Sequence, residues 1–231
     1  LAAAALLAAA FWLTSQPDPL PLEPWSEELG LRSLQTGSVS AGQSLALIGL
    51  EPNPTQDIAP PADLCDALFP RRRPGRVPVA FFTDHYCPNC RGMVEVLQAK
   101  DGIDVMRHEL PLLGPDSVVA ARAALAAGLQ GRREAFHLRM TRSAFAPTEA
   151  YLHDLALGIG IEPDRLIEDM SDPQVELALQ EDVELASSLG FDVVPVAVVG
   201  RTVVLGQIAG DTLDRLFEHE AGRGSPCPLR H

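Results

Sequence analysis

The feature that most constrains this chain is a pair of cysteines two residues apart, set between an apolar run and a helical pattern. Residues 76–100 read RVPVAFFTDHYCPNCRGMVEVLQAK. The continuous apolar stretch at 77–83 predicts a buried strand. Residues 88–100 predict a helix. Pro88 suits its first position, where the missing N–H would have no partner anyway, and Asp101 with Gly102 forms a turn that ends it. Residues three apart share a helix face, so the sulfurs of Cys87 and Cys90 can meet across the first turn. Cys87 falls at or beside the N-cap, near unpaired N–H groups and the positive end of the helix dipole. Such a setting can bring a cysteine from ~8.5 down to roughly 3.5–7.5. Cys90 lies one turn further in and is expected to be more buried. Cys87 is therefore the expected attacking thiol and Cys90 the resolving thiol of a reversible disulfide.

Two other chemistries use close cysteines. Structural zinc needs about four ligands. Here the nearest extra candidate is His85, and no second CxxC or HxxxH exists, so no metal is expected. An inert disulfide across two residues would add little stability, because the loop it closes is short.

The rest of the chain sets the context. Its 231 residues allow one sizeable domain plus extensions. Hydrophobic residues make up 46%, enough for a core. A net charge of −13 argues against a nucleic-acid partner. The cluster Arg71, Arg72 and Arg73 sits among prolines and a glycine and reads as a solvated linker. Residues 1–13, LAAAALLAAAFWL, are uninterrupted apolar. That run is shorter than the ~20 residues of a spanning helix and matches the core of a signal peptide. A cleaved signal and a retained N-terminal anchor both stay open. Either reading places the remainder outside the cytoplasm, where disulfides persist.

Residues 14–75 read as a tether and N-terminal extension. They hold two candidate strands, 31–35 and 44–50, and a short helix at 63–69 that carries Cys65. After the CxxC helix, residues 103–110 predict a strand parallel to the first. From 116 to 189 only helical patterns follow, with expected helices at 116–129, 132–143, 147–158, 163–170 and 171–189. Two apolar runs, 191–199 and 202–205, meet at Gly200 and Arg201 as a hairpin. A helix at 211–220 comes next, and residues 221–231 read as a loose tail. The order is β–α–β, a helical block, then β–β–α. This predicts an α/β chain with a thioredoxin fold, in which an all-helical domain at about 112–189 interrupts the βαβ and ββα halves of a domain spanning 76–220.

By these segments the sequence resembles the DsbA-like family of thiol–disulfide oxidoreductases in the thioredoxin superfamily. The residues that carry the likeness are FFTDHYCPNC (81–90), HELPLLGPDSVVAARAALAA (108–127) and LGFDVVPVAVVG (189–200). The resemblance implies a cis-proline facing the disulfide, matched here by Pro195, and a backbone at Val194 that pairs with an extended substrate segment. Valine before that proline is common in oxidase members. The dipeptide Pro88 and Asn89 carries no charge, which implies a less oxidising disulfide than a histidine there would give. His85 is a candidate to replace part of that effect. Asp84 is a candidate for proton transfer during exchange, by analogy with buried acids near such sites, and equally for an ordinary turn or cap.

The expectation is an exported, periplasmic enzyme that introduces disulfides into cysteine-containing proteins through Cys87 and Cys90. A membrane redox partner would reset the pair, and no other cofactor is implied. The alternatives are a disulfide reductase or isomerase on the same fold, or a non-catalytic metal-binding or assembly protein using Cys87, Cys90 and His85. Cys65 and Cys227 either form a second disulfide or remain a buried and a free thiol.

Overall fold

The computed structural model describes residues 19–41, 58–143 and 145–221. Three strands, β1 (Glu23–Ser26), β2 (Leu31–Gln35) and β3 (Ser40–Ala41), precede a short helix α1 (Leu64–Leu68). Then follow β4 (Val77–Thr83), α2 (Pro88–Gln98) and β5 (Ile103–Glu109). The helical block comprises α3 (Pro115–Leu129), α4 (Arg133–Thr141), α5 (Glu149–Ile159), α6 (Pro163–Asp169) and α7 (Pro173–Ser188). The chain then forms β6 (Val193–Val194), β7 (Val196–Val199), β8 (Thr202–Leu205) and α8 (Gly210–Ala221).

Six strands make one sheet in the order β1-β2-β8-β7-β4-β5. β4 runs parallel to β5 and antiparallel to β7. From Val79 to Phe82 β4 is fully buried, as its unbroken apolar run requires of a strand covered on both faces. Burying Phe81 or Phe82 contributes about 1.5–3 kcal/mol each. The ring of Phe82 meets Phe191 edge-on at 5.1 Å, and Trp25 reaches Phe191 from β1 at 5.7 Å. The helical block follows the expected order, each helix within a few residues of its expected bounds. α3 buries alanines on several sides, from Ala120 to Ala127. Their small side chains let α4, α6 and α7 approach closely around it.

Three readings change. First, the N-terminal extension joins the domain's own sheet, through a strand that covers the candidate at 31–35. β2 lies in the sheet, paired in parallel with β8 from Arg32 opposite Thr202 to Gln35 opposite Leu205. Glu220 of α8 fastens this junction, accepting from Arg32 Nη2 at 3.0 Å, Thr202 Oγ1 at 2.7 Å and the Arg201 N–H at 3.1 Å. Second, the arginine cluster is stitched down. Arg72 donates to Asp66 at 2.8 Å, and Arg73 with Arg76 grips Asp104. Third, the apolar run at 191–199 is two strands. β7 belongs to the main sheet, whereas β6 pairs with β3 in a separate two-stranded ribbon. The proline between them cannot donate to a ladder, and the strand breaks there.

Cys65 is disulfide-bonded, while Cys87 and Cys90 are free thiols. Cys227, a candidate partner of Cys65, lies outside the described residues, as do residues 1–13 and the candidate strand at 44–50. Among the described residues no helix is long and apolar enough to cross a membrane.

Candidate active site

β4 delivers the chain through Asp84, His85 and Tyr86 onto α2, and Cys87 is the N-cap of that helix. Its backbone is extended (φ −79°, ψ 114°), and its sulfur accepts from the Cys90 N–H at 3.1 Å. Pro88 occupies the first turn. The cysteine thus takes the place of a capping serine or aspartate, which favours a negative sulfur. As a thiol, Cys87 donates to Ser40 Oγ at 3.6 Å; once ionised, its sulfur accepts from the Cys90 thiol and the Ser40 hydroxyl. Against burial and the Asp84 charge, these contacts bring the Cys87 pKa down to about 7. Burial and the adjacent Cys87 push the Cys90 thiol well above its usual value. Both sulfurs are buried, Cys87 at 1% exposure and Cys90 at 0%.

The Val194–Pro195 bond is cis, and the Val194 carbonyl lies 3.8 Å from Cys87 Sγ. The structure therefore brings Cys87, Cys90, Val194 and Pro195 to one place. It adds a residue that the sequence did not single out. Ser40 Oγ stands 3.6 Å from Cys87 Sγ, carried there by the pairing of β3 with β6. Nothing in the local sequence signals it, because Ser40 lies 47 positions from Cys87 in a short run of small residues.

The Asp84 and His85 side chains make different contacts. The Asp84 carboxylate accepts from the Tyr86 N–H at 2.8 Å, the Leu113 N–H at 3.0 Å and Ser117 Oγ at 2.9 Å. Burial raises its pKa, and these donors oppose the rise. It thereby ties the turn before Cys87 to the start of α3.

The His85 side chain, a candidate support for the Cys87 thiolate, is engaged by other groups. Its ring sits in a buried group with Glu109 and His137. His85 Nε2 is 3.1 Å from Glu109 Oε2, an ion-pair distance off the hydrogen-bond direction. Burial alone would raise the Glu109 pKa, but the charges of His85 and Arg133 bring it below its usual value. Burial lowers the His137 pKa strongly, helped by the charges of Arg107, His85 and Arg133, so this ring is neutral.

His85, Glu109 and His137 offer one ligand atom each, all within 4.8 Å of one another. The charge around them does not fit a dication. Arg133 already donates to Glu109 Oε1 at 3.3 Å, and the positive field of Arg107 and Arg133 reaches His137. A further +2 there would be buried without a matching anion. Among the described residues no ligand group of three joins His85 to the two cysteines, so the ligand set of a Cys87, Cys90 and His85 metal protein is not assembled.

A free thiol capping a helix on a thioredoxin sheet, with a second thiol one turn behind it, defines a thiol–disulfide oxidoreductase. The chain belongs to the DSBA-like thioredoxin domain family, whose model matches residues 78–218. Members of this family act on cysteine-containing substrates. Among solved structures, the chain is similar to a thioredoxin-like oxidoreductase from Silicibacter pomeroyi DSS-3. The two share 31% identity at a TM-score of 0.61, over 68% of this chain and 97% of that one. The fold also matches the thiol-disulfide exchange protein alpha-DsbA2 from Wolbachia pipientis, with 20% identity, a TM-score of 0.62 and coverage of 67% and 90%. A periplasmic thioredoxin-like protein from Salmonella enterica serovar Typhimurium matches with 22% identity, a TM-score of 0.60 and coverage of 69% and 97%. No curated protein matches the chain.

Proposed function

We propose that this protein is an exported disulfide donor that oxidises cysteine pairs in other proteins. The observation that carries the exchange chemistry is the free Cys87 thiol at the N-cap of α2 with the free Cys90 thiol one turn behind it, their pKa values displaced in opposite directions. A client thiolate attacks Cys87 Sγ, and the Cys87–Cys90 bond breaks. Cys90 leaves as a thiolate, and its raised pKa lets it take up a proton at once. A second client thiolate then attacks the client sulfur of the mixed disulfide, and Cys87 leaves. Its lowered pKa makes it the better leaving group. Two electrons have passed from client to enzyme, and a membrane redox partner would remove them again. The pair is itself the redox centre, and no further cofactor enters these steps. Export is supported by the apolar run at residues 1–13 and by the disulfide at Cys65, a bond typical of oxidising compartments. Val194 before Pro195 supports the oxidising direction.

One observation favours a reductase or isomerase instead. A Cys87 pKa of about 7 is depressed less than in the strongest oxidants, which reach ~3.5. The reduction potential, measured by equilibration with glutathione buffers, decides between the two. A value near ~−120 mV supports the donor reading and one near ~−270 mV supports the reductase. Cys87→Ser is expected to abolish exchange in either case. Exchange unchanged in that variant would remove Cys87 from the mechanism.

We assign Asp84 first to holding the turn, with proton transfer to or from the pair as its second role. Its three donors support the first and its raised pKa the second. Asp84→Asn takes a negative charge away from Cys87, so the Cys87 pKa should fall below its present value. If Asp84 also moves protons, breakdown of the mixed disulfide should slow in the same variant. A breakdown rate equal to wild type, measured by stopped flow across pH 5 to 8, would leave only the turn-holding role.

A further inference from the structure

Cys87 has to meet a client sulfur, yet almost none of it is exposed. Part of its cover is the chain's own N-terminal segment. Past β2, the Thr36 N–H donates to the Leu205 carbonyl at 3.1 Å. β3 then lies antiparallel to β6, with Ser40 opposite Val194 and Ala41 opposite Val193. This register sets Ser40 Oγ 3.6 Å from Cys87 Sγ.

Three observations make this segment equivalent to a bound peptide. It occupies the backbone edge beside Pro195, where an extended chain adds by strand pairing. It fits at the level of bare backbone. A Cβ placed on Gly37 would lie 2.7 Å from the Gln207 carbonyl oxygen, and one on Gly206 would lie 2.5 Å from that of Gly37. Its residue facing the sulfur carries a hydroxyl, which can hydrogen-bond to Cys87 but cannot form a disulfide with it. The hold is also short. β3 pairs over two residues and Ala41 is exposed, whereas β2 stays fixed through four pairs with β8. A tethered segment competes with a free peptide at an effective concentration on the order of millimolar. A client with a longer pairing strand can still displace it.

We propose that residues 36–41 are a pseudosubstrate strap, occupying the pairing edge beside Cys87 with Ser40 in the place of a client's reacting cysteine. Clients are then extended segments that run antiparallel to β6 and must push the strap aside. The inference rests on the exchange reading above for its clients, though not for the covering of Cys87.

Gly37→Val tests the cover without touching the thiols, Val194 or Pro195, because its Cβ collides with the Gln207 carbonyl. Iodoacetamide should label reduced Cys87 of this variant about tenfold faster than wild type, since reactivity scales with the uncovered fraction. Equal labelling rates would overturn the strap.

The register is tested with Ser40→Cys combined with Cys90→Ser. Oxidised glutathione takes two electrons from the introduced thiol and Cys87, giving one disulfide and two reduced glutathiones. A peptide link between position 40 and Cys87 by mass spectrometry supports the assignment. Glutathionylated thiols with no such link would overturn it.

A synthetic copy of residues 37–41, with cysteine in place of Ser40, serves as the client. Two peptide thiols reduce the Cys87–Cys90 disulfide and leave as one peptide disulfide, and excess oxidised glutathione restores the pair for the next turnover. Wild type should turn over with a higher KM for the peptide than Gly37→Val, with kcat similar. The same KM in both proteins would count against the strap. No exchange in either protein, with labelling of Gly37→Val still faster, would sink the exchange reading and support the cover of Cys87.

Discussion

The N-terminal extension pairs with the domain twice, in two different ways. β2 enters the main sheet between β1 and β8. There Leu31 and Leu34 are buried, and Glu220 ties the junction to α8 with three hydrogen bonds. Only a few residues later, β3 touches the domain over two residues, on the edge beside the reactive sulfur. The first contact is part of the core. The second is an edge contact, with exposed residues and little apolar area to hold it. Local stability follows buried area, so one piece of chain serves as a fixed anchor and as a removable cover.

Substitutions in the two strands should therefore separate stability from access. Leu34→Ala removes a side chain that is 1% exposed and is expected to cost about 2–5 kcal/mol, read as a lower urea midpoint. A cost as small as that of a surface change would mean that β2 is no anchor. Gly37→Val should move the same midpoint by no more than ~0.5 kcal/mol, the usual range for surface changes, while it opens Cys87. A loss as large as that of Leu34→Ala would erase the contrast. The smallest effect belongs to Ser40→Ala, which removes one donor to the Cys87 thiolate. With that donor gone the thiolate is less favoured, so the Cys87 pKa should rise above about 7. Thiolate absorbance followed against pH checks the direction, and a midpoint that stays or falls would refute it.

The same lowered pKa makes the stability of the reduced protein depend on pH. Cys87 titrates lower in the folded chain, about 7, than its ordinary value of 9.0. Between those values the unfolded chain binds the extra proton, so the contribution of Cys87 rises with pH across that window and is lost as pH falls through about 7. Cys90, shifted the other way, opposes this above 9.0.

Much of this was legible in the chain because it is local. The strand before the CxxC and the helix after it follow from adjacent residues, and so do the five helices of the insertion. Pro88 and the position of Cys87 at the helix start dictate the N-cap. The place of Pro195 was legible only through family likeness, since no local rule marks one proline as cis. Asp84 and His85 mark the limit of local reading. They are neighbours in sequence, and both suggested a role at the thiols. In the fold, Asp84 is gathered in by Leu113 and Ser117, and His85 turns toward Glu109 and His137.

By itself, then, the sequence determined the redox pair, the order of elements and the split of the thioredoxin halves. Periodicity, capping and turn chemistry act over a few residues and are written in consecutive letters. Only the tertiary structure decided that β2 would lie beside β8, that Glu109 and His137 would surround His85, and that Ser40 would come to rest on Cys87. Each of those contacts joins segments dozens of residues apart, where register and packing, rather than any local preference, choose the partner.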